Sequence, residues 1–291
     1  MTPPDRRLTV VLVLSVVLVP LTLRSQPPDT SLRAVVQAGS AYVAEYQRTL
    51  TSVVADESAE QEVVTQVPPA RNAVRRRRTA SEVFFMFTPV TNHWMAIRDV
   101  MRVDGRELEN RPDIRRDLET LADDHVSAAL KAQNSRYNIG RITRNFSEPT
   151  LCLLVLDERH RNRFKFDRKR VQNDAGVTVV TLTFAEKEGP TLIWDYRLGK
   201  VLSTGEILIE ANTGRVRETT FRARSGDITL ELTTKYTADE RLNMWVPASF
   251  RESYEGGVDR RARDGPSYYE HVVAEATYSN YRRFQTAARI K

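Results

Sequence analysis

The chain has 291 residues, one cysteine and a formal charge of +6, with acidic and basic residues interspersed along most of it. One cysteine excludes an internal disulfide, so stability has to come from packing. A charge excess this small and this evenly spread does not point to nucleic acid, and the length allows one large β-rich domain or two small ones.

Residues 1–25 read as a secretory signal. Arg6 and Arg7 precede an apolar run from Leu8 to Leu23, and Ser25 offers a small residue for cleavage. The run is 16 residues long and contains Pro20, short of the roughly 20 apolar residues of a spanning helix. An uncleaved inner-membrane anchor is the alternative. Cys152 lies far from this junction, which excludes acylation there. Cleavage leaves 266 residues carrying +4, destined for the periplasm or the extracellular space.

Residues 26–30 form a linker. Leu32, Val35, Val36, Tyr42, Val43, Tyr46 and Leu50 recur at helical spacing and predict an amphipathic helix from Ser31 to about Val53. A half-buried extended segment follows to Val67, ended by Pro68-Pro69, and residues 70–79 (ARNAVRRRRT) read as a basic loop. EVFFMF is apolar on both faces, as a strand covered on both sides would be. A strand from His93 to Val103 ends at Asp104-Gly105, a tight-turn signal. Ile114, Leu118, Leu121, Ala122, Val126, Ala129 and Leu130 predict a helix from Asn110 to about Gln133, and SEPTLCLLVL a further helical stretch packed under the sheet.

From Arg163 onward short β-rich runs follow one another: RFKFD, VTVVTLTF, GEILIEA, RVRETTFRA, DITLELTTKY, MWVPASFRESY and HVVAEATYSNYRRF, with Gly/Asn turns between them. This is an antiparallel meander. In DITLELTTKY, Ile228, Leu230, Leu232 and Tyr236 share a covered face while Thr229, Glu231, Thr233 and Lys235 share a wet one. The expected fold class is α+β, a curved antiparallel half-barrel with helices on its concave face. It forms one domain over 31–291, helix-rich over 31–157 and a meander over 158–291, with the meander strands supplying the sheet.

Chemistry is sparse. His93, His125, His160 and His271 have neither zinc-helix spacing nor a cysteine cluster, and Asp123-Asp124-His125 points in different directions on a helix. No phosphate-cradling glycine loop and no G-x-S-x-G elbow occurs, so no metal or cofactor is expected. Cys152 reads as a small buried hydrophobe. Asn145-Phe146-Ser147 fits a glycosylation sequon. Trp94, Trp194 and Trp245 fill a core or line a cavity. Arg75, Arg76, Arg77 and Arg78 offer a grip for an anionic lipid head group or acidic partner, against the simpler reading of a charged loop tip.

The hairpin series GEILIEANTGRVRETTFRA, DITLELTTKY, WVPASFRESY and ATYSNYRRF, over roughly 160–285, resembles the outer-membrane lipoprotein-sorting (LolA/LolB-like) superfamily. SRYNIGRITRNFSEPTLCLLVL, RFKF, GPTLIW and ATYSNYRRF resemble uncharacterised exported bacterial proteins. The first resemblance implies a half-barrel around helices that holds lipid or lipoprotein acyl chains; the chain departs from it in the extra stretch around 110–157. The expected function is a non-enzymatic envelope protein holding an apolar ligand in a cavity lined by Ile207, Ile209, Phe221, Ile228, Leu230, Leu232 and Phe250. The alternatives are an envelope interaction or sensor module with a filled core and a basic outer surface, and an unrecognised hydrolase.

Overall fold

The computed structural model describes residues 28–51, 53–66, 72–88, 93–109, 111, 112, 114, 132–144, 146–195, 198–258 and 268–283. The expected signal sequence, Asp123-Asp124-His125, Asn145 and most of the Asn110–Gln133 helix lie outside them. Ile114 and residues 132–135, near the two ends of that stretch, are helical.

Helix α1 spans Leu32–Leu50. Ser31 caps it, its Oγ accepting from the Ala34 amide at 3.3 Å. Its buried residues Val35, Gly39, Val43, Tyr46 and Leu50 fall on one stripe, the face turned to the sheet. Among the described residues thirteen strands follow in chain order. They are β1 (Val53–Gln66), β2 (Ala73–Thr88), β3 (His93–Val103), β4 (Arg106–Glu107), β5 (Phe164–Asp174), β6 (Val177–Glu186), β7 (Ile193–Asp195) and β8 (Gly199–Val201). The last five are β9 (Ser203–Glu210), β10 (Val216–Ser225), β11 (Ile228–Asp239), β12 (Met244–Val258) and β13 (Tyr268–Arg283). Between β4 and β5, Leu151–Leu156 forms a 3-10 helix rather than an α-helix.

Eleven strands make one antiparallel sheet in the order β4-β3-β2-β1-β13-β12-β11-β10-β9-β6-β5. Its outer strands β4 and β5 do not meet, so the sheet is open. Contrary to the expectation from the sequence, the meander does not supply it alone. β13 pairs along its whole length with β1, from Val53↔Arg283 to Gln66↔Tyr269, and that pairing adds β1–β4 to the meander. A second departure is the separate ribbon β7–β8, whose three-residue strands are too short for a period to show.

The basic run is not a loop. Arg75, Arg76, Arg77 and Arg78 lie in β2, where Glu62 stands opposite Arg76 and Glu60 opposite Arg78 on β1. Opposite charges directly across a ladder favour pairing, and the four arginines gain a register they lack alone. Farther along β2 the expected two-sided burial holds. Val83 and Phe85 enter the main core, while Phe84 and Met86 join Val54, Met95, Ile97 and Ile114 on the other face.

β3 ends as expected, with Asp104 at φ 50° and Gly105 at φ 81°. The β9–β10 turn uses Gly214 at φ 69° for a second reason. A Cβ there would sit 2.1 Å from the Ala38 carbonyl oxygen on α1, so glycine is what lets the turn press against the helix. In β11, Leu230, Leu232 and Tyr236 are buried while Thr229 and Lys235 are exposed, the alternation of a sheet with one covered face.

Candidate functional site

The concave face is largely apolar and carries one buried polar cluster. Over β6 and β9–β12 it is apolar. Ile207, Ile209, Phe221, Leu230, Leu232 and Phe250 are buried in the main core, and Ile228 packs half-buried against it. All seven sequence-chosen residues therefore share the inner face. What covers them is α1 and the Leu151–Leu156 segment, each of whose six residues is buried. Gly39 is the contact point: a Cβ there would lie 3.1 Å from Leu156 Cδ1 and 3.2 Å from Ile209 Cδ1.

Polar bonds hold the segment at its two ends. Ser40 Oγ donates to the Leu156 carbonyl at 2.6 Å, and Gln47 Nε2 to Asp157 Oδ2 at 2.7 Å. At the other end Thr234 Oγ1 and the Tyr236 hydroxyl both donate to the Pro149 carbonyl, at 2.7 and 2.9 Å. Cys152, inside it, is buried with its thiol pKa pushed up by burial. That environment favours the inert thiol over the nucleophilic thiolate.

Over β1–β3, β12 and β13 the same face carries, among further core residues, a buried polar cluster closed by residues 132–144 and 146–148. Arg98 Nε donates to both oxygens of Glu57, at 2.9 and 3.0 Å, and its Nη1 to the Ser147 carbonyl at 2.9 Å. Burial opposes the Arg98 charge, but the Glu57 carboxylate outweighs it and holds the guanidinium above its usual pKa. Arg144 donates to Glu252 Oε1 at 2.8 Å and to Gln61 Oε1, and Ser147 Oγ donates to Glu252 Oε2 at 2.8 Å. Glu270, fully buried, accepts from the Arg141 and Ile142 amides at 2.6 and 3.2 Å. A pocket of about 40 Å³ lies among these groups, room for water rather than for an acyl chain. The arrangement fastens the 132–148 segment over the sheet.

Sequence reasoning passed over this cluster, yet a signal was present. Glu57 shares its strand parity with Val53 and Ala55, Glu252 with Phe250 and Tyr254, and Arg98 with Trp94 and Ala96. A charge at an inward position of a strand has to be paired.

The arginine run divides between partners. Arg76 Nε donates to Glu62 at 2.7 Å and Arg78 Nε to Glu60 at 3.3 Å, both exposed, while Arg77 Nη1 reaches the Tyr137 carbonyl at 3.2 Å. Arg75 is exposed opposite Val63. Of the tryptophans, Trp94 is buried, Trp194 is exposed on β7, and Trp245 borders an open cleft of about 600 Å³ between α1 and the β11–β12 turn. Ser253 Oγ and His271 Nε2 lie 3.1 Å apart on adjacent strands, and among the described residues no carboxylate orients the imidazole as a nucleophile's base requires. Among the same residues no group of three or more His, Cys, Asp or Glu could hold a metal ion, and no helix is long and apolar enough to cross a membrane.

Fold and interior together define an open, curved antiparallel sheet wrapped around a helix and an apolar segment of its own chain. Among solved structures the chain is similar to a DUF1329 family protein from Desulfovibrio piger, at 11% identity and a TM-score of 0.38, over 87% of this chain and 95% of that one. It is also similar to a LolA superfamily protein from Nitrosomonas europaea, at 11% identity and a TM-score of 0.29, over 84% and 94%. A third likeness is to an outer membrane lipoprotein-sorting protein domain from Vibrio parahaemolyticus, at 11% identity and a TM-score of 0.29, over 86% and 94%. At these identities and TM-scores the likenesses carry no activity across. No family model matches the chain, and no curated protein matches it.

Proposed function

We propose that this chain is an exported, non-enzymatic binding protein of the cell envelope that holds an apolar ligand, a lipid or an acylated polypeptide, inside the half-barrel. The observation that carries this reading is the occupant of the inner face. Leu151–Leu156 is a run of six consecutive apolar residues, all buried, with polar bonds to Pro149, Leu156 and Asp157 at its ends. An acyl chain would gain from the same surface about 0.8 kcal/mol per buried methylene. Ten methylenes give roughly 8 kcal/mol, near micromolar affinity, before the cost of moving the segment aside. Export rests on Arg6-Arg7 and the Leu8–Leu23 run.

The test is titration of the mature chain with a neutral fluorescent naphthylamine probe. Wild type is expected to bind, and Leu230→Trp, which fills the inner face, is expected not to. A wild type that binds no probe, with Leu230→Trp overpacking the core at about 1–3 kcal/mol, overturns the reading. That result would favour the second reading, an envelope interaction module that works through its outer face, which the filled interior also supports.

A further inference from the structure

Exposed large apolar side chains are gathered at one place on the surface. Among the described residues Val74, Val171 and Tyr269 stand singly on β2, β5 and β13, whereas Trp194, Leu198 and Leu202 fall between positions 194 and 202, at 63%, 62% and 51% exposure. Single exposed apolar residues need no explanation, but a local concentration of them marks an interaction site. The ribbon β7–β8 carries the group, and its two faces have different neighbours. Ile193 and Val201 pair across it and, with Leu192, are buried in the main core. Trp194 and Lys200, the next pair, turn the other way and are exposed, as is Leu202 beyond them. The indole lies along Gly199, where a Cβ would stand 3.8 Å from Trp194 Cη2.

Fraying does not account for this exposure, because the hairpin is fastened at both ends. Glu186, 6% exposed, accepts from the Leu192 amide at 3.0 Å through one oxygen. Through the other it accepts from the Ser203 amide and hydroxyl at 3.1 and 2.8 Å. One buried carboxylate thus holds both feet of the ribbon. At the far end Asp195 accepts from the Leu198 amide at 3.0 Å and from Ser225 Oγ at 2.7 Å, which ties the ribbon to the β10–β11 turn. Apolar side chains held out in water by a fixed backbone dock with little further loss of conformational entropy.

The size of the patch and its surroundings select what covers it. Three such side chains offer at most a few hundred square ångströms of apolar surface. Each partner of a stable protein complex buries roughly 800 Å². The surface around the patch is charged rather than apolar: the Lys200 stem lies against Gly189, beside exposed Glu188, and exposed Arg224 donates to the Gly226 carbonyl next to Leu198. A bilayer needs no second matched surface, since association follows the apolar area inserted. Its headgroup layer suits an indole, and a lysine stem can cross it with the ammonium in water. Charges of both signs at the rim give no preference for an anionic lipid.

We infer that the outer face of the β7–β8 ribbon docks on a phospholipid bilayer, inserting Trp194, Leu198 and Leu202 to headgroup depth whatever the lipid charge. The inference goes beyond the apolar-ligand reading and does not require it, because a chain with a filled core can dock in the same way.

Trp245→Phe leaves two indoles, buried Trp94 and exposed Trp194. Titrating this variant of the mature chain with phosphatidylcholine vesicles should shift its emission to the blue. Lipids brominated near the headgroup should quench it, and salt should not reverse the effect. In co-sedimentation with the same vesicles, Trp194→Ser/Leu198→Ser/Leu202→Ser should partition at least about tenfold more weakly than wild type, with an unchanged melting temperature, as for exposed positions. The quenching experiment does not depend on the folding of the triple variant. Absence of both shift and quenching overturns the inference, as does equal partitioning of the triple variant. Binding confined to anionic vesicles and abolished by salt also overturns it, because it would mean adsorption through charge. A dimer in analytical ultracentrifugation that the triple variant lacks, with no vesicle binding, would give the patch to a second copy of the chain instead. Naphthylamine binding is read separately, so its failure with vesicle docking intact removes the apolar-ligand reading and leaves this inference standing.

Discussion

Replacing Arg144 by Met keeps most of the side-chain stem and removes a guanidinium whose side chain is 0% exposed. Two hydrogen bonds disappear, to Glu252 and to Gln61. Gln61 Oε1 retains the Ile139 amide at 3.1 Å, so the amide oxygen is not stranded. Glu252, 4% exposed, keeps Ser147 Oγ but loses its countercharge. Removing one member of a buried pair costs about 3–5 kcal/mol, because the remaining charge stays desolvated. That is a large share of the 5–15 kcal/mol by which folded proteins are typically stable. Removing both charges, as Arg144→Met/Glu252→Leu, should recover most of the loss, since apolar replacement of a whole buried pair is often neutral or stabilising. Urea denaturation of wild type, both single variants and the double variant gives the coupling energy directly. Hydrogen exchange at the Ile139, Arg141 and Ile142 amides reports whether the 132–148 segment loosens first in Arg144→Met. A single-variant cost below about 1 kcal/mol, or a double-variant cost equal to the sum of the singles, refutes the account of this cluster as a buried clasp.

Burial pushes the phenols of Tyr42, Tyr46, Tyr236, Tyr254, Tyr278 and Tyr281 above their ordinary value of 10. Below pH 10 folded and unfolded chains both hold these protons. Above it only the unfolded chain releases them, so stability falls as pH rises past 10. A phenolate absorbance titration should show these six ionising together with unfolding, and a gradual titration in a chain that stays folded would contradict their burial. Gly214→Ala should destabilise by more than 1 kcal/mol on thermal melting, combining strain at positive φ with a clash on the α1 backbone. Arg76→Ser and Arg78→Ser should each cost about 1 kcal/mol or less, as exposed ion pairs do, while Arg77→Ser should cost more because it frees the Tyr137 carbonyl from the segment over the sheet; equal denaturation midpoints for the three would show that Arg77 does not fasten that segment.

Much of the architecture is local in origin and was legible as such. The 3.6-residue recurrence from Val35 to Leu50 wrote α1, Asp104-Gly105 ended β3 where positive φ was needed, and the alternation around Leu230 and Leu232 assigned the covered face of β11. A residue's parity within its own strand is set by its immediate neighbours, so the seven inner-face residues could be chosen without knowing what they face. The arginine run shows where such reasoning stops. Four consecutive like charges repel one another in isolation and read as a solvated loop; only the register with β1 supplies Glu60 and Glu62 and turns them into a strand. The buried clasp is less local still. Arg144 and Glu252 are 108 positions apart, and Arg98 and Glu57 are 41 apart. A charge at an inward position is tolerable only when its partner arrives from elsewhere in the chain, because desolvation is suffered singly while the compensating attraction needs both ions. The sequence by itself determined which residues turn inward. Only the tertiary structure decided that most of the inner face closes on apolar contacts and one part of it on paired charge, since attraction between ions depends on distances that no local pattern encodes.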